Sequence, residues 1–231
     1  MEPKINRPDK SYRQILKSTG IMGGSSVVNI ILRIVRTKFL AVLIGPSGIG
    51  LLGIFISIIE VVGAVARMGI DNSGARQIAE TAGTGNEKKL GQALFMLRRV
   101  SWLLGVIGMI LLIFLSSPIS RLTFGNTQYA GGIILLSVII LLDTVASGKV
   151  ALIQGMRKIG DLAKHNIFSA LLGTILGIPI LYVWGQKGIV PFLITASAMS
   201  IFTAWWFAKK IKVSLVQAGW AEIRTEGKPL L

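Results

Sequence analysis

Long apolar runs alternate along the chain with short polar, glycine-bearing breaks, and the runs have the length of membrane-crossing helices. A ~30 Å hydrocarbon core needs about 20 predominantly apolar residues in helical form. Runs at about 18–43, 49–69, 100–117, 131–151, 165–184 and 189–208 meet that need, so the pattern predicts six transmembrane helices. The first run is no secretory signal: its apolar core exceeds the ~7 to 15 residues of such a segment, and Arg33 interrupts it. Between the second and third runs, residues 72–92 carry enough Gly, Thr and Asn to predict a turn, with at most a short surface helix at 75–81.

The polar residues inside the runs are more informative than the runs themselves. At ~100° per residue, Ser25, Asn29, Arg33 and Arg36 share one arc of the first helix, and Ser57, Glu60, Ala64, Arg67 and Asp71 share one arc of the second. Asp143, Ser147 and Gln154 share a face of the fourth, where Ile139 to Leu142 supply the lipid or packing surface. A charge near the bilayer centre costs about 2.5–3.5 kcal/mol on insertion scales, so such stripes face protein, water or a ligand. They predict a polar cavity lined by Asn29, Arg33, Arg36, Ser57, Glu60, Arg67, Asp143 and Ser147.

Each of these residues also has a plainer reading. Arg36 and Lys38 lie about 7 to 10 Å past the midpoint of the first helix, within snorkelling reach of the outer headgroups, and Arg67 and Lys149 lie near the opposite interface. Glu60 either lines the cavity or neutralises an arginine as a structural pair. His165, the single histidine, falls at the edge of the fifth helix with no partner evident in the sequence, which fits an interfacial residue better than a proton relay. Arg33, within about one turn of the midpoint, is the hardest to explain by snorkelling.

Composition agrees with a membrane class. Of 231 residues 52% are hydrophobic and only 15% charged, and the mean hydropathy is +0.68. The net charge of +15 is dispersed between the apolar runs instead of forming a patch for nucleic acid. Lys and Arg fall about eighteen to two on one side of the six-helix arrangement, which places both termini in the cytoplasm. Cysteine is absent, which removes disulfides, thiol nucleophiles and Cys-based metal sites. The glycine-rich GPSGIG stretch at 45–50 lacks the Lys-Ser/Thr of a phosphate-binding loop, and neither H-E-x-x-H nor G-x-S-x-G occurs. No catalytic residue, metal site or cofactor is expected. The spacing Gly45-x-x-Gly48-Ile49 recurs as Gly185-x-x-Gly188-Ile189, either an internal repeat of the kind transporters use or a chance match of two short turns.

Three stretches carry a family resemblance: KFLAVLIGPSGIGL at 38–51, SPISRLTFGNTQY at 117–129 and LIQGMRK at 152–158. Through them the chain resembles the N-terminal half of Wzx-type oligosaccharide-lipid flippases of the MOP superfamily, which move O-antigen units or the lipid III of enterobacterial common antigen. The resemblance implies an all-α polytopic membrane protein, six transmembrane helices forming one lobe at 18–208, after a basic cytoplasmic segment at 1–17 and before a cytoplasmic tail at 209–231 that resembles the inter-lobe linker. It implies the bacterial inner membrane, an undecaprenyl diphosphate-linked glycan as substrate, lipid as surroundings, no nucleic acid, and a second lobe or polysaccharide polymerase and chain-length proteins as partners. Arg33 and Arg36 are then the candidate diphosphate-binding residues. The chain is expected to be a truncated or split form of a two-lobed protein. A multidrug or small-solute antiporter of the same architecture and a membrane enzyme of polysaccharide assembly are the alternatives; the second needs external carboxylates, which the expected outer loops lack.

Overall fold

A computed structural model describes residues 8–211 of the chain. Residues 1–7 and 212–231, which hold part of the expected N-terminal segment and nearly all of the tail, lie outside the described residues. The order of elements is α1 (Pro8–Arg67), α2 (Ile70–Gly83), α3 (Glu87–Phe124), α4 (Ala130–Gly155), α5 (Ile159–Trp184), a 3₁₀ turn (Gly185–Gly188) and α6 (Ile189–Lys209).

Among the described residues four helical stretches, and not six, are long and apolar enough to cross a membrane: Thr19–Arg67, Glu87–Phe124, Ala130–Gly155 and Ile159–Lys209. The expected count is corrected at two places. Segments 18–43 and 49–69 are limbs of α1, interrupted only at Gly45, where φ is 67° and ψ −178°. Pro46 follows that break at a first-turn position, where its missing N–H deprives the helix of little. Segments 165–184 and 189–208 are joined through the 3₁₀ turn into the single stretch Ile159–Lys209, which doubles back on itself there without an open loop. Glycine and proline thus interrupt the helices without separating them. The expected loop at 117–130 also shrinks, since α3 continues to Phe124, and the short surface helix becomes the 14-residue α2.

The two limbs of α1 have different neighbours. The first lies beside α5 and α6, with the Arg36 guanidinium 5.8 Å from the centroid of the Phe192 ring. The second lies beside α3 and α4, with Phe55 set edge-on to Phe124 and Tyr129 and Ala66 against Gly108. α3 and α4 run antiparallel, bringing Gly105 to Leu141 and Ser101 to Gly148, and α5 and α6 do the same through Gly173–Ala196 and Gly177–Phe192. Apolar burial gains little when lipid is the solvent, so close approach through small residues carries such contacts.

One apolar core, including Leu52, Phe55, Leu112, Ile133, Leu136, Ile140 and Phe192, joins both limbs of α1 to α3, α4 and α6. A second core seats α2 through Ile78 against Leu90, Leu97 and Ala151. Outward positions are apolar as well: Val42, Phe114, Leu122 and Tyr182 are each more than three-quarters exposed. A continuous apolar exterior suits hydrocarbon and not water, and the chain is a multi-pass membrane protein.

The bundle has two chemically distinct ends. At one, Gln186 Nε2 donates to Ser47 Oγ at 2.9 Å and Phe124 stacks on Tyr129; among the described residues this end carries Arg121 and Lys187, with Lys38 about 9 Å short of it. At the other, α2, the start of α3, the 156–158 turn, the start of α5 and the end of α6 gather Arg76, Lys88, Lys89, Arg157, Lys158, Lys164, Lys209 and Lys210.

The seat of α2 is set by Gly155. A Cβ built there would lie 2.7 Å from the Ala75 carbonyl oxygen and 2.6 Å from Ile78 Cβ, so α2 would have to move. Gly155→Ala is expected to destabilise by about 1–3 kcal/mol, read as a lower melting temperature in detergent and faster proteolysis at 84–86. Gly160→Ala, which adds its Cβ to open space, is the control and should not lower the melting temperature. An unchanged melting temperature for Gly155→Ala would contradict this seat.

Candidate functional site

The first limb of α1 carries polar residues at helical spacing, but they are not equivalent. The Ser25 hydroxyl donates to the Met22 carbonyl at 2.8 Å, and Asn29 Nδ2 donates to the Ser25 carbonyl at 3.0 Å, so both lean on their own helix. Arg33 and Arg36 reach further. With Ser26 and Asn29 they form one wall of a groove of about 500 Å³ whose other wall is Asn166, Ser169 and Thr174 of α5 with Ala196 and Ser200 of α6.

The facing wall is polar yet electrically quiet. Ser169 and Thr174 hydroxyls donate to the carbonyls of Asn166 (3.2 Å) and Ala170 (2.7 Å) in their own helix. Gly173 brings α6 close beside them, since a Cβ there would lie 3.2 Å from Ala196 Cα. The strong donors of the groove are therefore the two guanidinium groups. Arg36 is half-buried, with its guanidinium within cation–π range of the Phe192 ring. Arg33 is exposed toward the open side. No carboxylate lines the groove, and the two ion pairs among the described residues, Arg67–Asp71 and Arg76–Glu80, involve neither arginine. The chemistry of such a surface is the binding of a polyanion whose oxygens take the N–H forks.

The structure thus brings Asn29, Arg33 and Arg36 together and leaves the other expected cavity residues elsewhere. Ser57 and Glu60 are exposed on the second limb of α1; the Ser57 hydroxyl donates to the Gly53 carbonyl at 3.0 Å, and Glu60 is in neither ion pair. Arg67 Nε lies 3.5 Å from Asp71 Oδ2. Asp143 has Ser197 and Arg67 as its polar neighbours, and Ser147 is half-buried one turn further along α4. Lys38 is exposed and not part of the groove. His165 is buried, with Nδ1 3.0 Å from Thr203 Oγ1, and is not at an exposed interface.

The α5 wall was the part that charge-based reasoning missed. Its signal is present as Asn166, Ser169, Ala170, Gly173, Thr174 and Gly177, small or polar residues recurring every three to four positions.

Comparison with known proteins gives two findings. The sequence profile of a family described as "Polysaccharide biosynthesis protein" matches residues 15–226. Proteins named lipid III flippase from Escherichia coli (strain K12) and from Shigella flexneri are each 30% identical over 166 residues, which is 71% of this chain and 38% of the relative. The chain thus matches well under half the length of these relatives. No solved structure matches it.

A water-filled groove has a direct signature. Single cysteines replacing Ser26, Ser169 and Ser200 are expected to react with a charged thiol reagent in open membrane sheets, whereas cysteines replacing the fully buried Leu112 and Leu136 should not. Protection of Ser169→Cys to the level of Leu112→Cys would contradict an open polar groove.

Proposed function

Because the chain belongs to the polysaccharide biosynthesis protein family, we propose that it serves translocation of an undecaprenyl diphosphate-linked oligosaccharide across the bacterial inner membrane. On this reading it acts as a transporter and not an enzyme. The observation that carries it is the pair Arg33 and Arg36, aimed into a polar groove with no carboxylate to neutralise them. A diphosphate brings at least two negative charges and a row of acceptor oxygens, matching two guanidinium forks one turn apart on one helix face. Asn29 and Ser200 add uncharged polar surface for the glycan, and the undecaprenyl chain stays in the bilayer. An organic cation, the cargo of a multidrug antiporter, would be repelled by the same pair.

The two names of the relatives, lipid III flippase, support this substrate class. The groove is open on one side, and the place facing it suits a second lobe, to which residues 209–231 would be the connection. Polysaccharide polymerase and chain-length proteins are further partners on this reading. Ser57, Glu60, Arg67, Asp143 and Ser147 keep a role as polar positions outside the diphosphate groove. The basic end of the bundle faces the cytoplasm by the positive-inside rule. Cysteines introduced at Asn86 and Thr127, which lie at opposite ends, should label from opposite sides of the membrane, Asn86→Cys only from the cytoplasmic side. Labelling of Asn86→Cys from outside would reverse the orientation.

Substrate recognition is tested by binding of a short-prenyl diphosphate glycan to the full chain in nanodiscs. Arg33→Ala is expected to weaken binding at least about tenfold, as loss of a charge-assisted contact of about 1.5–3 kcal/mol requires. Arg33→Lys should fall between, because the charge stays and the planar fork is lost, and Lys38→Ala should change binding less than about twofold. Wild-type affinity in Arg33→Ala, or a loss that follows only from poor accumulation, would overturn the assignment.

A further inference from the structure

A second cationic site lies away from the α1 groove, at the basic end of the bundle. There α3, α4 and α6 enclose a cleft of about 280 Å³ whose lining includes Arg98, Trp102, Lys149, Trp205 and Lys209. Close packing makes the cleft possible: Gly148 lets α4 approach the Ser101 side chain of α3, and the Ser101 hydroxyl is committed to the Leu97 carbonyl at 2.8 Å. Lys149 is half-buried, with the charge of Arg98 acting on it. Lys209 Nζ sits 5.1 Å from the centroid of the Trp205 ring. Three cations thus converge with no carboxylate in the lining, and neither ion pair among the described residues involves them. Like charges so placed repel, and an anion between them offsets part of that repulsion.

The cleft continues onto the outside of the bundle. Arg98 and Trp102, with Arg99 beside them, also border a mainly apolar groove of about 880 Å³ along α3, formed further along by Leu103, Val106 and Ile107. Leu103 is 61% and Ile107 49% exposed, facing the hydrocarbon around the protein. From Trp102 to Arg121 the helix rises by about 28 Å, the thickness of the hydrocarbon core. Trp102 and Trp205 are therefore at headgroup depth, where indoles concentrate. A cationic cleft at headgroup depth opening onto an acyl-sized apolar groove has the two-part chemistry of a phospholipid.

We infer that the cleft between α3, α4 and α6 binds an anionic glycerophospholipid, its phosphate held by Arg98, Lys149 and Lys209 and an acyl chain lying along Trp102, Leu103, Val106 and Ile107. A free phosphate would leave the apolar groove unused, and the quaternary ammonium of a phosphatidylcholine would meet three like charges. The bound lipid offsets part of the repulsion between α3, α4 and α6 and holds these helices together at the basic end.

Native mass spectrometry of the full chain released from detergent tests this, with phosphatidylglycerol and phosphatidylcholine of identical acyl chains. Phosphatidylglycerol should be retained about tenfold better than phosphatidylcholine, and the Arg98→Gln/Lys149→Gln double variant should lose about tenfold of that retention. Arg121→Gln, at the opposite end, should retain it unchanged. Inorganic phosphate in millimolar excess should not displace it, since the acyl groove contributes to binding. Equal retention of the two lipids, full retention by the double variant, loss in Arg121→Gln, or displacement by inorganic phosphate would each overturn the assignment. Should the double variant fail to accumulate, Lys209→Gln, which changes an exposed side chain, gives the same reading with an expected loss of about threefold, and unchanged retention there would overturn it.

Discussion

The arrangement turns on the cost of holding two guanidinium groups on one face of an otherwise apolar helix with no carboxylate opposite them. Arg33 and Arg36 sit in the first limb of α1, among Ile30, Leu32, Ile34 and Val35. Each charge exposed to lipid there would cost a few kcal/mol. The structure lowers that cost in three ways. It turns the stripe toward the small polar wall of α5 and α6, sets Arg36 over the Phe192 ring, and leaves Arg33 exposed at the groove. A carboxylate opposite them would pair the charges, but it would also occupy the forks that the proposed diphosphate would take.

Small residues let the rest of the bundle serve that groove. Gly173 draws α6 against α5, so that Ala196 and Ser200 complete the wall, and Gly177 accommodates Phe192, the ring beside Arg36. On the far side, Gly105, Gly108 and Gly148 join α3, α4 and the second limb of α1 into the core that supports it. The same close packing brings Arg98, Lys149 and Lys209 together at the basic end. Each cationic site therefore rests on helix approach at glycine. The two differ in surroundings: one is a groove of uncharged polar walls, the other a cleft that borders an acyl-sized apolar surface.

The helical class and the stripe of Asn29, Arg33 and Arg36 were legible in the sequence, because a charge in an apolar run is conspicuous and the helical period places such charges on one arc. The number of spanning stretches was not. Gly45-Pro46 and Gly185–Gly188 read as terminators, yet in the structure one is a single residue outside helical geometry and the other a 3₁₀ turn. At both places the leading glycine, Gly45 and Gly185, has positive φ, and Gln186 reaches Ser47 between them. Periodicity also gave the arcs of Ser57, Glu60 and Arg67, but an arc does not name its neighbour, and the second limb of α1 turns toward α3 and α4. The α5 wall escaped notice because Asn166, Ser169 and Thr174 carry no charge, and Phe192 because its role exists only across a helix contact.

The direct measurement is through-space coupling between guanidinium nitrogen and phosphorus in bilayers, using the full chain with ¹⁵N-labelled arginine and an added short-prenyl diphosphate whose phosphorus resonances are resolved from phospholipid. Coupling to two arginines is expected, with one signal lost in Arg33→Lys and the other in Arg36→Lys. Coupling that survives both substitutions, or arises only from arginines outside the α1 groove, would contradict the placement of the diphosphate between Arg33 and Arg36.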